Sequence, residues 1–253
     1  MEQQPVIQTI QRASDILNCF DSGHKELSAR DIGDKLDLNV NTVRGIMSSL
    51  ASVGYLFKNS RGATYSLGLE HLFKSKLVYD SLVKNIKEVS EPHLQRIANK
   101  GNFTCKLQIA TNNKIYTVDT VTSEACHYQF TINTETVLPL HSTASGKLVL
   151  AYLPEDKSTA FIKAMELTKF TEHTITDIDM LFETIRFIQK SDYATEFEET
   201  DVGISSIAVP IFRRKEFVGT LSVISPASIL ESNCQQVILD LIKAAHQISS
   251  KLY

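Results

Sequence analysis

The sequence predicts an α+β protein of two domains, in which a helix joins an N-terminal winged helix–turn–helix to a mixed α/β domain. Residues 28–68 combine two amphipathic helical patterns, a tight turn and a β-hairpin. A long helical pattern follows, and after it β-rich runs are mixed with helical ones. The expected boundaries are 1–75 for the first domain, 76–90 for the linker helix and 91–253 for the second domain.

The composition is typical of a globular protein without a membrane segment. Of the 253 residues, 43% are apolar and 22% are charged, which allows a core in each of two domains. No apolar run reaches the roughly 20 residues of a membrane helix, and the N-terminus lacks the pattern of a signal peptide. The four scattered cysteines form no CxxC pair. We therefore expect a cytoplasmic protein with free thiols, no metal site and no cofactor.

An apolar stripe and a capping pattern predict the first two helices. The stripe comprises Ile7, Ile10, Ile16, Leu17 and Phe20, and its helix is expected to end near Ser22-Gly23. A second helix is expected after Ser28, because Asp31 stands three residues later and completes a capping box.

The third helix is predicted to follow a turn at Asp37-Leu38-Asn39, with Asn39 as its N-cap. Helical spacing assigns its buried face to Val43, Ile46, Met47 and Leu50. The outer face then carries Asn41, Thr42, Arg44, Gly45 and Ser48. These side chains are small or can donate hydrogen bonds, which suits contacts with base edges and phosphates.

A hairpin after this helix completes the DNA-binding pattern. Strands are expected at 55–57 and 64–67, with Arg61 at the tip of the connecting wing. No acidic residue lies between Leu38 and Leu69, whereas Arg44, Lys58 and Arg61 are basic in a chain of net charge −3. We expect DNA contacts from these three cations, from Ser28 and from the outer face of the third helix. The alternative is a helical bundle that only packs or dimerises, with Arg44 and Arg61 as solvated charges.

A long helical pattern predicts the linker, and β-rich runs mixed with helical ones predict the second domain. Apolar residues from Leu72 to Ile86 predict a helix to about Glu88, and Pro92 predicts a break before a further helix at 91–99. Strands are then expected at 103–110, 114–121, 127–132, 205–212 and 216–225, and helices at 148–153, 158–165, 178–191 and 229–252. An antiparallel sheet with helices on its faces can enclose a small-molecule pocket.

Two motifs in the second half resemble those of the IclR family of bacterial transcription regulators. Residues 138–154, LPLHSTASGKLVLAYLP, are similar to the family segment LPLHATALGKALLAYLP. A second match runs from Glu198-Glu199 through Gly203 to Ile211 and continues at 219–223. The winged helix–turn–helix fits the same family. The resemblance implies a GAF-like effector-binding domain, a homodimer or dimer of dimers, and ligand-tuned binding to double-stranded operator DNA.

The resemblance also implies a set of effector-binding positions. They are Tyr116, Ala144, Ser145, Gly146, Glu196, Ser206, Ser222 and Ile224. Ala144 and Ser145 are expected in a loop whose backbone N–H groups hold a carboxylate, and Glu196 in the loop before Gly203. Ser206 stands where many members have Cys, and Ile224 where a second Ser is common, so the effector is expected to be larger or less polar than a two-carbon acid. Gly45 replaces a large polar residue in the recognition helix.

Three other readings of single motifs are weaker. A Ser/His dyad at His141-Ser142 would need a spatial contact that adjacent residues rarely make. The run Ser145-Gly146-Lys147 does not fit a phosphate loop, which needs Gly at position 141 and Ser or Thr at position 148, where this chain has His141 and Leu148. Acidic residues at 196–201 could bind a cation, although a solvated loop is the favoured interpretation.

The sequence therefore predicts no catalytic residue and a ligand-responsive regulator, most simply a repressor of a catabolic operon whose effector is a small organic acid. A metabolic enzyme with an accessory helical domain is the alternative. A protein-interaction module is a third class.

Overall fold

The computed structural model describes residues 7–59, 64–111, 113–126 and 139–252, without the side chains of 155–157. The chain divides into two compact units, Met1–Ser81 and Leu82–Tyr253. The boundary falls within the range 76–90 that we propose as the linker. In the described part of the chain, no helix has both the length and the apolar character needed to cross a membrane.

The first unit is a winged helix–turn–helix. Its elements are α1 (Gln8–Leu17), β1 (Leu27–Ser28), α2 (Ala29–Leu36), α3 (Val40–Ser52), β2 (Leu56–Lys58), β3 (Thr64–Leu67) and α4 (Glu70–Val78). The three strands form a small antiparallel sheet in the order β1-β3-β2. Its core comprises Ile16, Ile32, Val43, Met47, Leu56 and Tyr65, with further apolar residues around them.

Capping in this unit agrees with the sequence prediction. The Ser28 hydroxyl accepts the Asp31 N–H, and the Asp31 carboxylate accepts the Ser28 N–H, which completes the capping box of α2. Asn39 caps α3 through the N–H of Asn41. Such caps stabilise a helix by about 1 kcal/mol each.

The first helix is shorter than predicted. It ends at Leu17 rather than near Ser22-Gly23. Asp21 explains the difference, because its carboxylate accepts the N–H groups of Gly23 and His24 and thereby stabilises a turn.

A single π-helical turn at Tyr79–Val83 leads from the first unit into α5 (Lys84–Gly101), which begins the helical part of the second unit. The predicted break at Pro92 is wrong, because α5 runs through it. The burial of apolar side chains on both sides of Pro92 explains why the helix continues. Ile86, Leu94 and Ile97 are buried, and burying each of three such side chains contributes about 1.5–3 kcal/mol, more than the roughly 3 kcal/mol cost of an internal proline.

The second unit is an antiparallel sheet with helices on both faces. Its strands are β4 (Thr104–Thr111), β5 (Lys114–Thr122), β6 (Ala194–Phe197), β7 (Ile204–Arg213) and β8 (Glu216–Pro226), in the order β5-β4-β8-β7-β6. Its further helices are α6 (Ala144–Tyr152), α7 (Glu155–Lys163), α8 (Ile178–Ser191) and α9 (Ala227–Ser249). The predicted strand at 127–132 lies outside the described residues.

The two faces of this sheet differ in chemistry. One face packs against α5 and α9 through Cys105, Leu107, Ile207, Leu221 and Val223. The other face packs against α6 through Ala194 and Ala208 and also carries the buried polar side chains of Gln108, Glu196, Thr220 and Ser222. Side chains alternate along a strand, so each of the central strands contributes to both faces.

Candidate functional site

The outer face of α3 is fully available in the first unit. Asn41, Thr42, Arg44, Gly45 and Ser48 are all exposed, whereas Val43 and Met47 are buried. Arg44 donates from Nη1 to Asn41 Oδ1 at 3.0 Å, which aligns the two side chains on the surface. A Cβ at Gly45 would meet nothing within 4 Å, so this position leaves open space on the helix.

The other predicted DNA-contacting residues have different settings. Lys58 is exposed on β2, with its ammonium 6.0 Å from the centre of the Tyr65 ring. Ser28 is partly buried and its hydroxyl oxygen is used in the cap of α2. Arg61 lies outside the described residues.

The polar face of the sheet gathers four of the eight predicted effector-binding positions: Glu196, Ser206, Ser222 and Ile224. Glu196 of β6 is in register with Ser206 of β7, which is in register with Ile224 of β8. Directly paired residues in an antiparallel sheet share a face. The adjacent row places Ser222 opposite Lys106 of β4. We call the surface formed by Lys106, Gln108, Glu196, Ser206, Ser222 and Ile224 the polar face.

A hydrogen-bond cluster covers one end of the polar face. The Ser145 hydroxyl of α6 donates to Gln108 Oε1 at 2.6 Å. Thr220 donates to the Ser145 oxygen at 3.1 Å, and Ser222 reaches Gln108 Oε1 at 3.5 Å. These side chains are buried, so the cluster fixes α6 to the centre of the sheet.

Glu196 is a buried and well-oriented carboxylate. It is 4% exposed. Its Oε1 accepts the N–H groups of Glu199 and Thr200 at 2.8 and 3.2 Å, and its Oε2 accepts the Ser206 hydroxyl at 3.0 Å. Burial raises the pKa of Glu196, and the hydrogen bonds partly offset that rise.

Lys147 and Glu199 form a buried ion pair beside it. Lys147 is 1% exposed and Glu199 is 8% exposed. The Lys147 ammonium donates to Glu199 Oε1 and, at 3.1 Å, to the carbonyl of Thr195. Burial lowers the pKa of Lys147 and raises that of Glu199, while each charge opposes the shift of the other.

Several site predictions need correction. Helix α6 begins at Ala144, not at Leu148, because the Thr143 hydroxyl caps it through the Gly146 N–H. Ala144, Ser145 and Gly146 are therefore buried in the first turn of a helix rather than exposed in a loop. A Cβ at Gly146 would come within 2.5 Å of Leu140 Cα, so the glycine permits close packing.

Glu196 and Tyr116 are also placed differently from the prediction. Glu196 lies on strand β6, not in a loop. Tyr116 is in register with Ile109, on the face opposite the polar face, and is 49% exposed. Tyr116 is therefore not part of the polar face. The interpretation of residues 196–201 as a solvated loop is wrong for Glu196 and Glu199, which are buried and hydrogen-bonded.

Three polar residues were missed at the sequence level: Lys106, Gln108 and Lys147. Lys106 and Gln108 alternate with Cys105, Leu107 and Ile109, a period of two that indicates one polar face. Lys147 begins an otherwise apolar helical run, and a lysine there indicates a buried partner.

Enzymatic readings gain no support from the geometry. His141 Nε2 contacts the Thr168 carbonyl at 3.0 Å, and its ring stacks on Phe170. The buried Ser142 hydroxyl has no partner among the described residues, so these neighbours form no dyad. No cluster of metal-binding side chains occurs in the described ranges.

A winged helix–turn–helix combined with a separate unit that contains a buried polar face defines the class of protein, a DNA-binding transcriptional regulator. Two family models match the chain. The model of the IclR helix-turn-helix domain matches residues 9–60, and that of the bacterial transcriptional regulator IclR C-terminal domain matches residues 81–250. The chain belongs to the IclR family, whose members are transcriptional regulators and not enzymes.

Individual relatives agree along most of the chain. It is 25% identical over 214 residues to the HTH-type transcriptional regulator XynR of Escherichia coli, covering 85% of this chain and 84% of the relative. It is 28% identical over 220 residues to the glycerol operon regulatory protein of Streptomyces coelicolor, covering 86% and 84%.

Solved structures of similar fold match most of the chain. An IclR transcriptional regulator from Silicibacter sp. TM1040 matches with a TM-score of 0.85 and 25% identity, covering 96% of this chain and 95% of the other. An IclR homolog from Microbacterium hydrocarbonoxydans, solved in complex with 4-hydroxybenzoate, matches with a TM-score of 0.75 and 20% identity, covering 96% and 98%.

The raised pKa of Glu196 generates a pH prediction. The native state holds this proton more tightly than the unfolded chain, whose carboxyl titrates near the ordinary value of 4.5. The free energy of unfolding should therefore fall as pH rises from about 4.5 through the native pKa. Glu196→Gln should remove this part of the pH dependence in urea unfolding, because it cannot ionise.

Glu183→Gln, an exposed position on α8, is the matched control and should leave the pH profile unchanged. An identical pH profile for Glu196→Gln and the wild type would show that burial does not perturb this carboxyl.

Proposed function

We propose that the chain is a ligand-responsive repressor of a catabolic operon, and that a small organic acid bound at the polar face of the second unit is its effector. The observation that carries this proposal is the polar face itself. Buried polar groups are costly unless they are satisfied, and a sheet face with a lysine, a carboxylate and several hydroxyls is suited to a polar ligand rather than to a simple core.

Operator binding is proposed for the first unit. The residues that we propose are Ser28, Asn41, Thr42, Arg44, Gly45, Ser48, Lys58 and Arg61. Exposed donors on α3 can reach base edges, and the wing cations can reach phosphates. With few cations in a net acidic chain, strong binding requires two copies on two half-sites, with centres about 34–36 Å apart or a multiple of that distance.

A second copy of the chain is supported by the apolar surface of α4. This helix has no buried residue. Leu72, Phe73 and Leu77 are each about two-thirds exposed. An exposed apolar patch of this kind typically marks an interaction surface, and a homodimer or dimer of dimers would cover it.

The sign of regulation and the effector class are supported by relatives. One relative is the HTH-type transcriptional repressor AllR of Salmonella paratyphi A, another is a glycerol operon regulatory protein, and one structural neighbour holds 4-hydroxybenzoate. A ligand can change operator occupancy only through different affinities for two states of the protein. We propose that the effector favours a state in which the two DNA-binding units no longer match the two half-sites.

The direct test combines a gel shift with a ligand screen. The full chain should retard DNA from upstream of its own gene, and a carboxylic acid identified by thermal shift should reduce that retardation. Failure to bind any upstream DNA would contradict operator binding. Loss of retardation on adding the acid supports a repressor, whereas increased retardation would reverse the proposed sign.

Arg44→Ala tests the recognition helix. If Arg44 reads a base, the substitution should weaken operator binding by about 1–3 kcal/mol in a gel-shift titration. Arg186→Ala removes the same charge from an exposed position on α8 and should leave the affinity unchanged. Equal affinities of Arg44→Ala and wild type would exclude α3 as the reading helix.

Ser222→Ala tests the polar face. Loss of one hydrogen bond to the ligand, about 1 kcal/mol, should raise the effector concentration for half-release of operator by roughly fivefold and leave DNA affinity without effector intact. Ser232→Ala, an exposed serine on α9, serves as control. Simultaneous loss of DNA binding and effector response in Ser222→Ala would indicate a folding role instead.

A further inference from the structure

We propose that Lys106 is the residue that recognises the effector carboxylate, and that Glu196 restricts the effector to hydroxy acids with a single carboxylate. This inference rests on the proposed function, because it assumes that the polar face holds the effector. It assigns a role to a lysine that is not among the positions predicted from the sequence. It also narrows the proposed effector from small organic acids to hydroxy acids with one carboxylate.

Strand register places Lys106 and Glu196 at opposite sides of the polar face, on β4 and β6. Lys106 is opposite Ser222, and Ser222 is opposite Ala208 on the next strand. The adjacent row contains Ile224, Ser206 and Glu196. The side chains of Ser222, Ala208, Ser206 and Ile224 therefore lie between the lysine and the carboxylate.

Lys106 differs from the other partly or fully buried lysine side chains of the second unit. Lys87 and Lys147 each form an ion pair with a carboxylate, Asp119 and Glu199 respectively. Lys106 is partly buried on β4. Among the residues that the structure describes, no acceptor forms a hydrogen bond or ion pair with its ammonium group. Burial lowers the pKa of Lys106, and the negative charge of Glu196 counteracts that shift.

An unpaired and partly buried ammonium is a site for an anion. Partial removal of such a group from water without a counter-charge is unfavourable. A ligand carboxylate would supply the counter-charge through a charge-assisted hydrogen bond. The Ser222 hydroxyl, directly across from Lys106 in the register, can exchange its long contact with Gln108 Oε1, 3.5 Å, for a hydrogen bond to the second carboxylate oxygen.

Glu196 favours a hydrogen-bond donor on the ligand, whereas Lys106 favours a carboxylate. Two backbone N–H groups and the Ser206 hydroxyl already hold its carboxylate in place. Oε2 accepts one hydrogen bond here and has capacity for another. A ligand hydroxyl can donate to it, whereas a second ligand carboxylate would be repelled. The pair of charges thus selects a carboxylate at one end of the ligand and a hydroxyl at the other.

The test measures binding of matched probes to the full chain by calorimetry. One set is 4-hydroxybenzoate, 4-hydroxybenzamide and terephthalate, of which the first occurs in a structural neighbour. The other set is 3-hydroxypropanoate, 3-hydroxypropanamide and malonate. Each set contains a hydroxy acid, its neutral amide and a dicarboxylate. The variants are Lys106→Met, Lys106→Arg and, as control, Lys114→Met at an exposed position on β5.

The wild type should bind at least one hydroxy acid, and bind its amide and its dicarboxylate at least about tenfold more weakly. Lys106→Met should lose about tenfold or more in affinity for the acid while its affinity for the amide changes by less than about twofold. Lys106→Arg should retain binding of the acid, and Lys114→Met should behave as wild type.

Three results would overturn the inference: equal binding of the acid by Lys106→Met and wild type, equal binding of acid and dicarboxylate by the wild type, or no binding of either hydroxy acid. A gel shift without probe separates these results from failure of the proposed function. Unchanged operator binding in all variants would leave DNA recognition standing, whereas absence of operator binding in the wild type would contradict the proposed function itself.

Discussion

The buried ion pair between Lys147 and Glu199 is the interaction on which the geometry of the polar face depends. Lys147 belongs to α6, and Glu199 follows strand β6, so the pair joins two segments that are distant in the chain. The same two residues also contact strand β6. Lys147 donates to the Thr195 carbonyl, and the Glu199 N–H donates to the Glu196 carboxylate. The position of Glu196 is thereby tied to a charge pair that is itself excluded from water. Such a pair is expensive to desolvate and costly to break on one side, which makes the surrounding geometry well defined.

The polar residues proposed as binding sites are mostly exposed in the first unit and buried or partly buried in the second. In the first unit, the side chains of α3 that we propose as DNA contacts are on the surface, and an apolar core beneath them holds the helix in place. In the second unit, the polar groups are enclosed between α6 and the sheet, where Ser145, Gln108 and Thr220 satisfy one another. DNA requires an exposed convex surface, and a small ligand requires an enclosed one. One chain can therefore bind both kinds of partner without mixing their sites.

Local signals in the sequence were sufficient for the helix caps of the first unit and insufficient for several features of the second unit. The caps at Ser28 and Asn39 depend on neighbours within three residues, and the structure confirms both. The continuation of α5 through Pro92 and the strand that carries Glu196 depend on tertiary packing, which local propensity does not contain. The same holds for Tyr116, whose face is decided by strand register. Lys106 was missed because its position opposite Ser222 depends on which strands are neighbours in the sheet.

A double-mutant cycle on the ion pair tests the central claim, that a buried charge pair holds the polar face in place. Urea unfolding would be measured for the wild type, Lys147→Met, Glu199→Leu and the double variant. Each single substitution leaves one buried charge without its partner and should lower the free energy of unfolding by about 3–5 kcal/mol. The double variant should lose about 2–3 kcal/mol less than the sum of the two single losses, which is the coupling energy of the pair. Strictly additive losses, or a Lys147→Met variant as stable as the wild type, would contradict the account.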